Sequence, residues 1–199
     1  MSNNIPLFPL SIVLFPKGRM SLKIFEQRYL DLVSRCMKTN TGFGIVWLKQ
    51  GGEVSRPGQK ELSFGEIGTY ARIVDWDSLP NGLLGITIEG EETFRVYDME
   101  LQADQLVTAE VDYQPAEPAV MWDNFHQHFL DVLNALLVHP HAKSLGLQYD
   151  ENNTLEIANI LVQLLPVSEI VKYEVRCMEA IEQRLTRIDE ILSDLSHQD

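Results

Sequence analysis

Two cysteines in 199 residues leave nothing from which to build a disulfide framework. Cys36 and Cys177 fall on separate predicted helices, so a close-spaced metal knuckle is excluded as well, and both read as small core residues. A nucleophilic Cys36 would need a base and an electropositive setting, whereas its place on an apolar helical stripe speaks for packing. Long apolar runs are also missing: none reaches the roughly 18 to 20 residues that span a bilayer. The first residues lack the basic start, apolar stretch and small-residue cleavage site of a secretory leader. The expectation is a cytoplasmic protein that does not engage a membrane. Positive charge is scarce, with 16 basic against 29 acidic side chains and a net charge of −13. It divides into −4 over residues 1–115 and −9 over residues 116–199. Such a surface repels phosphate backbones and acidic headgroups, which argues against nucleic acid as a partner.

Chemistry-bearing patterns are few. No Gly-x-x-x-x-Gly-Lys-Ser/Thr loop is present to cradle a nucleotide phosphate. Four of the five histidines cluster at His126, His128, His139 and His141, which raises a metal site because neutral imidazole is a common ligand. The spacing opposes it: residues two apart on a helix diverge, while a helical metal pair needs three or four residues between ligands. His139-Pro140-His141 reads as a helix end whose imidazoles meet free carbonyls. Glu89, Glu91 and Glu92 crowd one short stretch that reads as a solvated acidic loop, since nothing sets two of them across a cleft. No catalytic residue, metal ligand or cofactor is assigned.

What is present begins with Pro6-Leu7-Phe8-Pro9-Leu10-Ser11-Ile12-Val13-Leu14-Phe15-Pro16. Three prolines in eleven residues remove three backbone donors, which predicts short extended pieces at sheet edges or a bent connection, not a helix. Phe25, Tyr29, Leu32, Val33 and Cys36 then recur at helical spacing, with Glu26, Asp31 and Arg35 on the opposite face and Asn40 and Gly42 as the stop. Phe43 to Leu48 reads as a buried strand with Trp47 in the core, and Gly51, Gly52, Pro57 and Gly58 as an irregular, mobile loop.

Residues Gly65 to Trp76, the return strand with Leu84, Ile86 and Ile88, and the stretches Phe94 to Met99 and Val107 to Tyr113 alternate with period two. They predict a meander of short antiparallel strands, broken at Gly90 and at Gln102 to Gln105. The tip Asp77-Ser78-Leu79-Pro80-Asn81-Gly82 has hairpin chemistry. Trp76, Leu79 and Leu83 place large apolar groups around it, either as a polypeptide-binding surface or folded back over the open end of the sheet.

Pro115 and Pro118 end the alternation and the period becomes about 3.6, so a β subdomain over residues 1–115 and an α-helical subdomain over residues 116–199 are expected. Trp122, Phe125, Phe129, Val132, Leu133 and Leu136 share one helical face that ends before Pro140. Asn153 with Glu156 resembles a capping box for a helix buried through Leu155, Ala158, Leu161, Val162 and Leu165. Ser168 caps a final helix whose apolar positions run from Tyr173 and Cys177 through Ala180 and Ile181 to Leu195, about 40 Å if continuous. Such a helix packs within a bundle or extends to a second chain.

Several of these segments together resemble the amino-terminal, substrate-binding domain of Lon proteases, a module that also occurs alone. Phe25-Glu26-Gln27-Arg28-Tyr29 is similar to the family's Phe-Glu-x-Arg-Tyr. Phe43-Gly44-Ile45-Val46, Gly65-Glu66-Ile67-Gly68-Thr69-Tyr70-Ala71, Leu164-Leu165-Pro166-Val167 and Glu182-Gln183-Arg184-Leu185 resemble later family segments. Two departures stand out. Lys17 sits where the family has glycine directly after the proline, and Thr93 replaces the arginine of Gly-x-x-Arg-Phe-x-Val. The resemblance implies an α+β fold: a partly open antiparallel β-barrel, PUA-like, followed by a C-terminal helical bundle with a long last helix. It also implies a non-enzymatic module, adaptor or chaperone-like, that grips unfolded or partly folded polypeptides, beside a protease or chaperone and with weak homo-oligomerisation in view. The peptidase dyad of that family has no counterpart, since Lys143 and Ser144 lack the flanking sequence. PUA relatives make RNA an alternative ligand, against which the net charge and the lack of a basic aromatic stripe weigh. A metalloenzyme built on His126 to His141 is a third reading.

Overall fold

A computed structural model describes residues 4–50, 63–121 and 126–197. The predicted loop at Gly51, Gly52, Pro57 and Gly58, and the helical positions Trp122 and Phe125, lie outside them. The chain divides into two compact units, Met1–Ala116 and Glu117–Asp199.

The first unit holds β1 (Asn4–Leu10), β2 (Arg19–Ile24), α1 (Gln27–Thr39), β3 (Phe43–Gln50), β4 (Ser63–Ser78), β5 (Leu84–Leu101) and β6 (Val107–Tyr113). Their order in the sheet is β2-β5-β4-β3-β1-β6, and an additional β5–β6 pairing brings the ladder back on itself. The sheet is mixed, which corrects the expected all-antiparallel meander: Leu7 to Leu10 run parallel to Gly44 to Trp47. Because α1 intervenes between β2 and β3, the chain returns in the direction that a parallel pair requires.

β1 lies between β3 and β6 in the sheet order, yet the expectation of edge pieces at Pro6 and Pro9 holds within it. Its partners take successive halves: β6 pairs Asn4 to Leu7 and β3 pairs Leu7 to Leu10. Each half therefore keeps one side without a strand, where a proline's missing donor costs nothing. After β1 the chain bends through Val13, Leu14 and Phe15, all buried, and the Thr69 hydroxyl donates to the Leu14 carbonyl at 2.7 Å. Gly18 N–H donates to Phe15 O at 3.0 Å, closing a turn whose third residue, Lys17, has φ 67°. A positive φ there is the demand that glycine meets in this kind of turn.

Contrary to the expected break, Gly90 does not end a strand: β5 runs through it. Leu84 to Glu89 pair with β2 and Phe94 to Leu101 with β6, so Gly90 is where the strand changes partner. A Cβ there would stand 2.3 Å from Phe15 O. Glu89 and Glu91 consequently lie on a strand and not in an acidic loop, facing Arg19 at 2.6 Å and Arg72 at 3.1 Å.

Helix α1 buries Tyr29, Leu32, Val33 and Cys36 against β1, β3 and β5 residues including Phe8, Phe43 and Ile88. Asn40 ends it in the left-handed conformation, φ 52°. Phe25 is not on that stripe: it precedes the first turn and is 56% exposed. Trp47 is half-buried.

The second unit is helical: α2 (Gln127–Leu137), α3 (Pro140–Ser144), α4 (Thr154–Leu164), α5 (Glu169–Cys177) and α6 (Ile181–Ser196). α4 is its centre, with Ile157, Ala158, Ile160, Leu161 and Val162 all inaccessible, and it packs on α2 and α6. Asn153 caps it by accepting Leu155 N–H, and Glu156 accepts Asp150 N–H at 2.9 Å. Ser168 caps α5 as expected. The long last helix does not form: Met178 and Ala180 take extended backbone angles and divide it into α5 and α6. Within α5, Lys172, Tyr173, Val175 and Arg176 are buried, whereas Cys177 is exposed and not the core residue expected. At about 1.5 Å per residue α6 is roughly 24 Å long, not 40.

Candidate functional site

The hairpin between β4 and β5 is closed by Gly82 N–H donating to Leu79 O at 2.8 Å and Leu79 N–H to Leu83 O at 2.9 Å, with Gly82 at φ 77°. The structure separates the three apolar residues predicted around this tip. Trp76 is 59% exposed, Leu79 and Leu83 are half-buried, and Leu79 lies against Gly85, where an added Cβ would stand 3.1 Å from its Cδ2. Leu79 thus folds back in part while Trp76 does not. Trp76 and Leu79 share a cleft of about 200 Å³ with Leu22, Ile86 and Asp77, which Leu83 does not line. Trp76 stands opposite Ile86, and Ile86 opposite Leu22, so one row crosses β4, β5 and β2.

A second cleft of about 320 Å³ shares Ser21, Leu22 and Lys23 with the first and continues to Phe8, Leu10, Phe25 and Tyr29. Its floor is stiff. The Phe8 and Tyr29 rings stack with centroids 3.8 Å apart, and the Arg28 guanidinium lies 4.5 Å from the Tyr29 centroid, held by Glu26 at 2.9 Å and Gln105 O at 2.6 Å. A third cleft, on the other side of Trp76, runs between Met37, Asn40 and Thr41 of the α1 end and Arg72 to Asp75. Phe25, Met37, Val74 and Trp76 are all large exposed apolar groups along this surface. Phe25 was missed by sequence reasoning, and its signal was the helix start: with Glu26 as the residue before the first turn, Phe25 cannot lie on the helical stripe.

Groups considered for bond chemistry are engaged elsewhere. Burial pushes the Cys36 thiol up, offset in part by Thr41 and Arg35, and the thiol donates to Gly42 O at 3.4 Å. Ser144 lies in α3, and its hydroxyl donates to His141 O at 2.7 Å. His139 follows the end of α2, its N–H donating to Leu136 O at 3.0 Å, and it also starts α3, its ring accepting from His141 N–H. His128 pairs with Asp189, and both His126 and His128 rest on the Phe129 ring. Among the described residues no group of three or more His, Cys, Asp or Glu side chains is placed to hold a metal ion, and no helix is long and apolar enough to cross a membrane.

Residues 4–194 match the family described as the ATP-dependent protease La (LON) substrate-binding domain. The chain belongs to this family. It is 27% identical to a Lon N-terminal domain protein from Xanthomonas campestris, with a TM-score of 0.70 over 96% of this chain and 98% of that one. The N-terminal domain of a Lon protease from the Mycobacterium avium complex shares the fold at 11% identity, with a TM-score of 0.59 over 96% of this chain and 99% of that one. A Lon protease of Vibrio parahaemolyticus is 28% identical over 123 residues, 58% of this chain but 15% of the relative's length. The match is to the non-catalytic substrate-binding region of Lon and not to its protease domain.

Proposed function

We propose that this Lon substrate-binding domain holds unfolded or partly folded polypeptides as an adaptor or chaperone-like module for a protease. One observation carries the reading: connected clefts around exposed Trp76 and Phe25, floored by a rigid Phe8–Tyr29 stack. Unfolded chains display apolar side chains that folded ones hide, and shallow apolar clefts beside strand edges suit them. Trp76 and Leu79 supply cleft walls, and Leu83 supports the turn that presents them. The closed cycle of strand pairings supports the description of the sheet as a partly open PUA-like barrel. Titration of a fluorescently labelled, reduced and unfolded protein, beside the same protein in its native form, tests the function. Binding of the unfolded form alone is the expected result, and equal or absent binding of the two forms rejects the reading.

A further inference from the structure

Beyond Ala71, β4 leaves β3 behind and runs past the end of α1. Pairing with β3 stops at Phe43 opposite Ala71, because the chain is still turning out of the helix there. Asn40 ends α1, and Gly42 N–H donates to the Tyr70 hydroxyl at 2.6 Å. A Cβ on Gly42 would overlap Ala71 O, so the turn is seated directly on β4. What remains between the α1 end and Arg72 to Trp76 is the third cleft, of about 320 Å³.

The stretch of β4 along this cleft is poorly suited to pairing with a further strand. A register irregularity falls between Ile73 and Asp75, and the Asp75 carboxylate occupies the Trp76 N–H at 2.9 Å. That bond has a second consequence. Neighbours on a strand point to opposite faces, but here the Asp75 carboxylate is drawn back to the Trp76 backbone, and both residues line the cleft.

Two kinds of surface meet there. Met37, Val74 and Trp76 are exposed apolar groups along it. Its charged groups are Arg72 and Asp75, and they are not equivalent. Arg72 Nε pairs with Glu91 at 3.1 Å and its Nη1 donates to Asn40 O at 3.3 Å, whereas Asp75 has no basic partner among the described residues. Lys38, in the last turn of α1, does not line the cleft. The uncompensated charge is therefore negative, and an indole shares the cleft with it.

We propose that this cleft receives an arginine or lysine side chain of a bound polypeptide, its methylene stem along Met37 and Val74 and its cationic head between the Trp76 indole and Asp75. This rests on the polypeptide-binding reading and adds a side-chain preference to it. Long basic side chains combine an apolar stem with a charged head, and indole is the best aromatic partner for a cation. A wholly apolar side chain would strip water from Asp75 and return nothing, and an acidic one would be repelled. The net charge of −13 draws basic segments towards the whole surface without choosing a place. The cleft makes that choice.

The probe is a pair of short unstructured peptides, identical except for one central residue, arginine in one and its neutral isostere citrulline in the other. Each is titrated against the full chain by fluorescence anisotropy. The wild type is expected to bind the arginine peptide about tenfold more tightly. Asp75→Asn keeps an oxygen for the Trp76 N–H, and Trp76→Leu keeps apolar bulk; each brings the ratio below about twofold. Glu100→Gln removes the same charge from an exposed position on β5 that lines none of the three clefts, and it leaves the ratio unchanged. Equal affinity of the wild type for the two peptides overturns the inference. So does an equal fall of the ratio in Glu100→Gln and Asp75→Asn, which makes the preference a property of net charge. If the unfolded protein is captured while the peptides show no arginine preference or do not bind, this inference fails and the general reading survives. If neither the peptides nor the unfolded protein bind, both fail.

Discussion

At the scale of single residues, backbone angles decide more than side-chain type. Lys17 and Gln105 both hold φ 67°, where a side chain costs about 1 kcal/mol or more that glycine avoids. Gln105 closes the β5–β6 turn: its N–H donates to Gln102 O, Gln102 N–H to Leu106 O, and Asp104 accepts Leu106 N–H at 3.0 Å. Its side chain is exposed, so Gln105→Gly removes strain with little else. The added freedom of glycine in the unfolded chain offsets part of this, leaving an expected gain of about 0.5 kcal/mol in urea unfolding. Gly90 behaves oppositely. Gly90→Ala drives a methyl against backbone at Phe15 O, and the strand must shift where it exchanges β2 for β6. A loss of about 1–3 kcal/mol is expected from the same measurement.

At the scale of elements, local signals were legible and partner changes were not. Asn40 as a helix stop, Ser168 as a cap and the Leu79 to Gly82 turn were readable because each solves a local backbone demand. The α5–α6 break was unreadable because apolar spacing continues across it, while the group that bonds the freed backbone there comes from the next helix. Arg184, 2% exposed, donates to the orphaned Met178 O at 2.8 Å and doubly to Glu117 at 2.9 and 2.7 Å. Only the resemblance of Glu182-Gln183-Arg184-Leu185 to a family segment marked this arginine beforehand. Burial raises the Glu117 pKa, but the hydrogen bonds and charge of Arg184, with the charge of Arg176, outweigh it and hold the carboxyl below its usual range. Arg176 is itself pushed down to about 10, by burial first and by the charge of Arg184 second, against the opposing charge of Glu117 and, more weakly, of Cys177 and Tyr173. Glu117→Ala strands a buried guanidinium and is expected to cost about 3 to 5 kcal/mol, read as an early transition of the second unit's helices by circular dichroism. Because the folded pKa is depressed, the stabilisation is complete above the ordinary carboxylate pKa and is lost as pH falls through the folded value. Acid titration of the wild type should show this loss, and Glu117→Ala should not.

At the scale of the whole molecule, composition weighed between classes of function, while the candidate site depended on placement. Trp76 and Leu79 were legible because a hairpin tip with apolar residues is unusual. Phe25 was not, since helical spacing drew it into a core stripe that starts one turn later. The place of β2 at one end of the sheet was beyond reach because strand order, unlike strand existence, is written in no local pattern. Exposure gives the site a clean test. Phe25 and Trp76 are 56% and 59% exposed, so neither Phe25→Ala nor Trp76→Ala should change the unfolding free energy by more than about 0.5 kcal/mol. Both should nevertheless weaken capture of an unfolded protein by about tenfold, the loss of a typical aromatic anchor. Leu83→Ala, outside the cleft, should weaken it less. Fluorescence anisotropy with a labelled unfolded protein ranks the three variants. Unchanged binding in both aromatic variants would move the polypeptide site away from the clefts of this sheet.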